Sequence, residues 1–310
     1  MVAADDTQED LGDDSGPMTK TGGSTGSIAH SLQEAGAEAA WHVIDLGSNR
    51  ELGEGSDDPV VTASTYKAAV LLEVARQASS GELSLTDRVK VPSDRRTLGP
   101  TGLSVMKDDV DISVRDLAFW MMCVSDNTAT DVLQELVSTE RVNKTLADLG
   151  LGSTFLEGDC NHLLSTLVED AGGIENIGPS MTPEQYAACR SLNAPQTNRT
   201  TPREAATLLR LIWTDEAGPP EACAEVRRIM GLQVWPHRLS SAFGDGIKVS
   251  GKTGTLIGIR NEIGVVEYPD GGRYAAAVFV TTQDLSWHKP EADAVIGKVA
   301  RLAIDDLRGE

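Results

Sequence analysis

Aromatic side chains, cysteine and histidine are all scarce in this chain of 310 residues. Phe, Trp and Tyr make up only 4% of it, so a buried core has to be built mainly from Leu, Val, Ile and Ala. The four cysteines form no Cys-x-x-Cys pair and no dense disulfide framework; we expect separate reduced thiols, although the sequence leaves their pairing open. The five histidines show no zinc-ligand spacing, so we expect no metal and no other cofactor. The cysteines are Cys123, Cys160, Cys189 and Cys223.

Basic residues are a minority, with 27 Lys and Arg against 47 Asp and Glu, and the net charge is −20. Such a chain is repelled by phosphate groups, so we expect no nucleic-acid partner. No stretch approaches the roughly 20 apolar residues of a membrane span, so we expect no membrane partner either. Residues 1–16 contain six acids and no apolar run of signal-peptide length. We therefore expect a cytoplasmic monomer, or a secreted protein if the signal has been removed from this sequence.

Three short motifs follow one another along the chain: Ser64-Thr-Tyr-Lys67, Ser125-Asp-Asn127 and Lys252-Thr-Gly254. Each pattern is weak alone, because Ser-x-x-Lys occurs three times and Lys-Thr-Gly twice. The surrounding sequence distinguishes the three motifs from these other matches. Ser64 opens a long apolar helical run, whereas Ser104 and Ser286, the serines of the other two Ser-x-x-Lys patterns, do not. The other Lys-Thr-Gly, at Lys20, lies in a polar segment with no predicted strand.

The apolar periodicity and the turn signals predict an α+β fold. Residues 1–27 are acidic and then rich in Gly, Ser and Thr, which predicts a disordered tail. We expect one domain over residues 28–308, in which an α/β part (28–60 and 205–308) carries an antiparallel sheet flanked by helices and residues 61–204 are all-helical. The predicted helices cover about residues 28–40, 64–79, 113–122, 128–137, 203–215, 221–231 and 291–307, and the predicted strands cover residues 40–45, a short stretch near Glu51, and residues 246–256, 262–268 and 273–281.

The first two motifs supply groups for acyl transfer without a histidine. A hydroxyl at Ser64, at the start of a buried helix, meets free backbone N–H groups and the helix dipole, which favour developing negative charge. Lys67 follows one turn later on the same face, and a desolvated amine there could act as its base. Ser125 could pass a proton to the leaving group, and Asn127 could hold a substrate amide.

The third motif lies on a predicted strand and offers groups for binding. Lys252 and a cleft-facing Thr253 could hold a substrate carboxylate, and Arg260 could add positive charge or could be an ordinary hairpin arginine. The backbone N–H of Thr255, with that of Ser64, could form an oxyanion hole. Gly251 and Gly254 would let a substrate backbone approach the strand edge closely. The expected ligand is therefore a small molecule that carries a carboxylate.

With these motifs in this order, the chain resembles the serine β-lactamase and D,D-peptidase superfamily, and most of all its class A branch. The resemblance covers about residues 30–308 and implies a class A β-lactamase-like fold. It also implies that Ser64 is acylated, that Lys67 is its base, that Ser125 relays the proton, and that Lys252 and Thr253 clamp a carboxylate. Beyond the motifs it rests on Ala63–Leu72, Gly102–Met106, Ser125–Thr130, Arg199–Ala206 and Gly251–Thr255.

One family feature is missing. Class A enzymes carry a Glu-x-x-Leu-Asn loop whose glutamate activates the water that hydrolyses the acyl-enzyme, and no such sequence occurs here. Aligning Leu192-Asn193 to the family's Leu-Asn places Cys189, a poor base for water, at the glutamate position. Glu157, Asp159 and His162 are alternatives by position. The resemblance therefore implies acylation and leaves deacylation open.

Four functions fit these observations. The first is a serine hydrolase that forms an acyl-enzyme with an amide, ester or β-lactam and releases it slowly. The second is a D,D-peptidase-like enzyme, which needs no such glutamate. The third is a covalent β-lactam receptor without turnover. The fourth is a hydrolase or transferase of secondary metabolism.

Overall fold

The computed structural model describes residues 23–310, which form a five-stranded antiparallel sheet, a set of packed helices and short connections. This arrangement confirms the predicted α+β class. The helices are α1 Gly23–Glu34, α2 Lys67–Ser80, α3 Val114–Cys123, α4 Asn127–Val137, α5 Thr139–Asp148, α6 Cys160–Asp170, α7 Pro183–Ala188, α8 Pro202–Trp213, α9 Pro220–Met230 and α10 Pro290–Arg308. The strands are β1 Ala37–Asp45, β2 Glu51–Glu54, β3 Val60–Val61, β4 Arg88–Val91, β5 Val110–Ser113, β6 Arg199–Thr200, β7 Lys248–Leu256, β8 Ile259–Glu267 and β9 Arg273–Thr282.

The main sheet has the order β2-β1-β9-β8-β7, so β7 is an edge strand. Its two faces are both covered. Along β9, Ala275, Ala277 and Phe279 pack into the core beneath α8, while Ala276 and Val278 pack against α1 and α10. The apolar run of β9 is therefore continuous rather than alternating, because successive side chains enter opposite cores.

The helical part is built around α2. Ten of its fourteen residues are buried, and it packs against α3, α4, α5 and α9. Gly81 ends the helix in the left-handed conformation, with φ of 78°. One apolar cluster joins this part to a face of the sheet, so the helix that begins at Lys67 is fixed against both.

Three predictions were wrong. Residues 61–204 are not all-helical, because β4 pairs with β5 and β6 pairs with β3 in two small antiparallel sheets. The predicted disordered tail lies outside the described residues up to residue 22, but its last five residues belong to α1. The predicted helix over 28–40 ends at Glu34, because β1 begins at Ala37 and pairs with β9. Within residues 23–310, no helix combines the length and the apolar character that a membrane-spanning helix requires.

The stretch between α5 and α8 folds onto the end of the edge strand. Leu163 and Leu167 of α6 pack with Leu256, Ile257 and Ile259 of the β7–β8 turn. The Tyr186 hydroxyl of α7 donates to the Ile257 carbonyl at 3.3 Å. This segment therefore lies next to the end of β7 that follows the third motif.

Candidate active site

Ser64 lies in a single 3₁₀ turn, Ala63–Tyr66, that leads directly into α2. Ala63 has a φ of 46°, a left-handed conformation that an alanine adopts only at a cost. The Ser64 carbonyl accepts from the Lys67 N–H, and the Ser64 side chain is half-buried. The turn thus presents the hydroxyl at the start of a buried helix, as the sequence predicts.

The edge of the sheet holds this turn in place. Asn261 Nδ2 on β8 donates to the Val61 carbonyl at 2.8 Å, and the Thr62 hydroxyl donates to the Asn198 carbonyl at 2.9 Å. Gly254 packs so closely that a Cβ there would lie 2.6 Å from the Thr62 carbonyl oxygen. Gly254 therefore makes room for the turn that carries Ser64, rather than for a substrate backbone as we had predicted.

Lys67 is the first residue of α2 and is fully buried. Its Nζ donates to the Ser125 carbonyl at 2.9 Å and to Asn127 Oδ1 at 2.8 Å, and lies 3.4 Å from Ser125 Oγ. A neutral amine has two hydrogens, which these two carbonyl-type oxygens can accept, and its lone pair then remains for a proton. The second motif thus holds the amine of Lys67, which follows Ser64 by three residues at the start of α2.

Ser125 stands between two lysines. Lys252 Nζ, from β7, donates to Ser125 Oγ at 3.0 Å and to the Thr253 carbonyl at 2.8 Å. Ser125 itself has a φ of 62°, which aims its hydroxyl at both amines from the short link between α3 and α4. The structure therefore brings the lysines of the first and third motifs to the serine hydroxyl of the second.

The two lysine amines lie close together at the Ser125 hydroxyl, and within residues 23–310 neither forms an ion pair with a carboxylate. Both side chains are fully buried, and their hydrogen bonds go to hydroxyl, amide and carbonyl oxygens. Burial and the charge of Lys67 hold the pKa of Lys252 well below its usual range; Arg238 acts in the same direction and Glu262 opposes it. A bound anion would relieve this repulsion, so the site is suited to a carboxylate.

Asp126 and Asn127 fix the second motif. The Asp126 carboxylate caps α4 by accepting from the Ala129 N–H at 3.0 Å, and it also accepts from the Leu103 N–H at 2.5 Å. Asn127 Nδ2 donates to the Leu98 carbonyl at 2.7 Å. Since Nδ2 carries two hydrogens, one remains for a ligand. Asp126 is thus the N-cap of α4.

An arginine that sequence reasoning missed completes the binding end of the site. Arg238 is 3% exposed, and its Nη2 donates to Thr255 Oγ1 at 2.7 Å. Its other nitrogens are held by Asp293, at 2.7 Å, and by the carbonyls of Gly254 and Asn261. No motif marks this residue, because it reaches β7 from a separate turn.

Arg260, the predicted source of that charge, lies beside Arg238. The two guanidiniums share the Asp293 carboxylate, at 3.7 Å from Arg260 Nε and 2.7 Å from Arg238 Nε. It is buried, and its guanidinium donates to the carbonyls of Leu256 and Ile259 at 2.9 Å and to that of Trp287 at 2.8 Å. Burial lowers its pKa. Arg260 thus braces the β7–β8 turn, whereas Arg238 is the arginine whose guanidinium contacts a side chain of β7, at Thr255.

The backbone of β7 is oriented for the predicted oxyanion hole. The Thr253 N–H points away from β8, because it donates to Gln233 Oε1 at 3.0 Å. Backbone groups of a strand alternate in direction, so the N–H of Thr255, two residues later, also faces away from β8. The Thr255 side chain is exposed, and it borders the same cavity as Ser64.

A narrow cavity of about 50 Å³ adjoins Ser64, and α6 forms one side of it. Cys160, Leu163 and Leu164 of α6 line it, and within the described part of the chain no carboxylate does. The Tyr66 hydroxyl lies 3.1 Å from Cys160 Sγ. Burial raises the pKa of the Cys160 thiol to about 11, so this side chain is a neutral thiol near pH 7.

Our alignment of the missing glutamate with Cys189 was therefore wrong. Cys189 is buried between α6 and the segment after α7, and its thiol contacts the Gln185 carbonyl. Cys160 and Leu163-Leu164 instead have the spacing of Glu-x-x-Leu-Asn, with cysteine and leucine as the end residues.

None of the three alternative bases is among the residues that line this cavity. Glu157 is paired with Arg199 at 2.6 Å, and Asp159 caps α6 by accepting from the His162 N–H at 2.7 Å. The His162 side chain is exposed. All four cysteines are free, as predicted.

A half-buried carboxylate on α4 holds α6 in position. Asp131 accepts from the N–H groups of Cys160 at 2.7 Å and Asn161 at 3.0 Å, and from the Thr97 hydroxyl at 2.6 Å. Burial, with a further contribution from the charge of Asp159, raises the pKa of Asp131 from its ordinary 3.8 to about 6.

This shift makes stability depend on pH. The folded protein binds the Asp131 proton more tightly than the unfolded chain, so this contribution is full below about pH 4 and is lost as the pH rises through about 6. Two pKa units correspond to at most about 3 kcal/mol. We expect Asp131→Asn to remove the decline, so that the variant gains stability relative to the parent between pH 4.5 and pH 7. Urea unfolding of both proteins at the two pH values measures this, and an equal decline in both would contradict it.

The chain is similar in sequence and in fold to known β-lactamases and related proteins. A model of a β-lactamase enzyme family matches residues 25–307. The chain is 31% identical over 300 residues to the β-lactamase regulatory protein BlaB of Streptomyces cacaoi, which covers 91% of this chain and 96% of BlaB. A β-lactamase from Sphaerobacter thermophilus superposes with a TM-score of 0.75 at 24% identity, covering 93% of this chain and 98% of that one. An acyl-enzyme complex of a PBP-A mutant with penicillin G superposes with a TM-score of 0.71 at 23% identity, covering 92% and 97%. These likenesses confirm the predicted class A β-lactamase-like fold.

Proposed function

This chain belongs to the β-lactamase enzyme family, and we propose that it forms an acyl-enzyme on Ser64 with a carboxylate-bearing β-lactam, ester or amide and hydrolyses it slowly. The observation that carries the proposal is the convergence of Lys67 and Lys252 on the Ser125 hydroxyl next to the Ser64 turn. A nucleophile, a base, a relay and a positive binding end then lie in one cleft. Fold alone would not support this, since one fold hosts many functions.

Acylation would proceed through these side chains in sequence. Lys67 takes the proton of Ser64 Oγ as the oxygen attacks the carbonyl carbon, and the N–H groups of Ser64 and Thr255 stabilise the oxyanion. The leaving group receives its proton from Ser125, which is replenished by Lys67 across 3.4 Å. The product is an ester of Ser64.

The substrate carboxylate would bind along β7, between Lys252 and Arg238. Lys252 supplies a buried amine there, and Arg238 supplies a guanidinium through its bond to Thr255 Oγ1. The charge of a bound carboxylate would favour the protonated form of Lys252. Orientation by this clamp would place the reacting carbonyl above Ser64.

Slow deacylation follows from the residues that line the cavity. Hydrolysis of the ester needs a base that activates water, and Cys160 and Leu164 supply none there. The thiol of Cys160 is neutral at pH 7, so it cannot act as the base that takes a proton from water. The acyl group would then remain on Ser64 for long periods.

The test is the intact mass of the protein after mixing with benzylpenicillin, followed from seconds to hours. We expect an increase of one penicillin that persists. The Ser286→Ala protein, which lacks the serine of another Ser-x-x-Lys pattern, should label as the parent does. No adduct at any time would contradict the proposal, and rapid clearance with product accumulation would contradict slow deacylation.

A carboxylate placed in the cavity should speed release of the acyl group. We expect Cys160→Glu combined with Leu164→Asn, which recreates Glu-x-x-Leu-Asn, to shorten the lifetime of the adduct by about ten- to a hundredfold, within the range of general-base catalysis. Cys160→Gln with Leu164→Asn is the size-matched control and should leave the lifetime unchanged. Equal lifetimes in the two double variants would show that the missing base is not what limits hydrolysis.

A second candidate is a covalent receptor that signals while acylated. The observation that favours it is the 31% identity to BlaB, whose name describes a regulatory protein, over 96% of that relative. Hydrogen exchange of the parent before and after labelling separates the two roles. Altered protection on surface elements far from Ser64 would support a receptor, and protection confined to the cleft would support an enzyme.

A further inference from the structure

Glu262 is a fully buried carboxylate that lies next to the proposed binding end without facing the cleft. It sits on β8 opposite Thr253 of β7. Its Oε1 accepts from Gln233 Nε2 at 2.6 Å, and its Oε2 accepts from the Leu239 N–H at 2.7 Å. Burial raises its pKa, and the two hydrogen bonds and the charges of Arg238 and Lys252 oppose that rise. Such a costly group calls for a reason.

The glycine before the third motif makes room for this carboxylate. A Cβ on Gly251 would lie 2.8 Å from Glu262 Oε1 and 3.1 Å from the Ile263 carbonyl oxygen. Gly251 was predicted to admit a substrate backbone. Its packing instead accommodates Glu262 within the sheet.

Glu262 ties together both ends of the segment 233–239. Gln233, at one end, uses its Nε2 for Glu262 and its Oε1 for the Thr253 N–H, at 3.0 Å. Leu239, at the other end, directly follows Arg238, whose guanidinium reaches Thr255 Oγ1. One carboxylate thus fixes the segment that supplies Arg238 and the side chain that binds the N–H of Thr253.

We propose that Glu262 is a positioning residue for the substrate carboxylate, acting through Gln233 and Arg238; the proposal rests on the acylation function given above. The hydrogen bonds have a fixed direction. The Thr253 N–H donates to Gln233, Gln233 donates to Glu262, and Leu239 donates to Glu262. Both oxygens of residue 262 must therefore accept.

An isosteric substitution breaks this pattern, and its partner substitution restores it. In Glu262→Gln one oxygen becomes an NH₂ group, which then faces a donor at Leu239 or forces Gln233 to turn a donor toward Thr253. Adding Gln233→Glu supplies the missing acceptor. The new glutamate accepts from Thr253 and from the amide at position 262, whose oxygen still accepts from Leu239. Every hydrogen-bonding group is paired again in the double variant.

The experiment compares the parent, Glu262→Gln and the double variant with Gln233→Glu in their rates of acylation by benzylpenicillin and by its methyl ester. We expect Glu262→Gln to lose about tenfold with the free carboxylate and less than about twofold with the neutral ester, since a lost buried acceptor has an effect of this size. The double variant should recover most of the loss. Equal losses with both reagents, or no recovery in a double variant that folds as the parent does by circular dichroism, would overturn the proposal.

Two further measurements keep the proposal separate from the acylation function. Hydrogen exchange at the Thr253 amide should be faster in Glu262→Gln and normal in the double variant. Titration with N-acetylglycine, followed by NMR, should show weaker binding in the single variant only. If benzylpenicillin fails to acylate the parent while N-acetylglycine behaves in this way, the acylation function fails and the positioning role of Glu262 stands. Unchanged exchange and unchanged binding would overturn that role.

Discussion

Replacing Ser64 with alanine is expected to abolish the penicillin adduct altogether. The Oγ atom is the one that forms the ester, and no neighbouring hydroxyl can take over its position at the start of α2. Ser125, the other serine of the cleft, is held between Lys67 and Lys252 by hydrogen bonds at 3.4 and 3.0 Å. Intact mass after an overnight incubation with benzylpenicillin would show the unmodified protein only.

The control for this result is the fold itself. Ser64 is half-buried at the surface of the cleft, so its hydroxyl contributes little to packing, and the thermal midpoint of the variant should lie close to that of the parent. Peptide mapping of the labelled parent should place the mass on the peptide that contains Ser64. An adduct in Ser64→Ala, or a label mapped to another residue of the parent, would overturn the assignment of the nucleophile.

The chain order of the three motifs was enough to predict which residues meet. Two motifs sit at the start of a helix, Ser64 before α2 and Ser125 before α4, and the third lies in the middle of the edge strand β7, at Lys252. Residues at element ends are placed by backbone packing, which apolar periodicity and turn signals reveal. The convergence on Ser125 therefore follows from the fold that the sequence predicts.

The binding end could not be predicted in the same way. Arg238 and Gln233 reach β7 from the segment after α9, and Glu262 works from within the sheet. Their roles depend on hydrogen bonds between side chains that are distant in sequence and follow no spacing rule. Arg260 lay closer to the motif in sequence, and it proved to brace the β7–β8 turn.

The segment before α8 shows a related limit. The dipeptide Leu192-Asn193 suggested an alignment that placed Cys189 at the glutamate position, yet Cys189 is buried and does not line the cavity next to Ser64. What brings Cys160 to the cavity is the anchoring of α6 by Asp131, a tertiary contact. A match of two residues in a loop therefore carries less information than the anchor of α6, the helix that precedes this loop in the chain.

Alanine at position 67 is expected to slow adduct formation by at least about a hundredfold, and by up to about ten-thousandfold, the range for removal of a general base. Lys67 is fully buried, and the acceptors at Ser125 and Asn127 take two hydrogens of its amine. With the amine gone, water cannot replace it as a base of comparable strength. The second-order rate constant for acylation, measured from intact mass at several benzylpenicillin concentrations, reports the loss.

Lys67→Arg separates the role of the base from that of the charge. An arginine keeps the positive charge beside Ser125 but cannot give up its proton near neutral pH, so it should be as slow as the alanine variant if Lys67 is the base. Circular dichroism and the thermal midpoint must first show that the larger side chain is tolerated at this buried position. An arginine variant that acylates close to the parent rate would mean that Lys67 acts by its charge alone, and the proton of Ser64 would then have to leave by another route, for which Lys252, joined to Ser125 Oγ at 3.0 Å, is the nearest group.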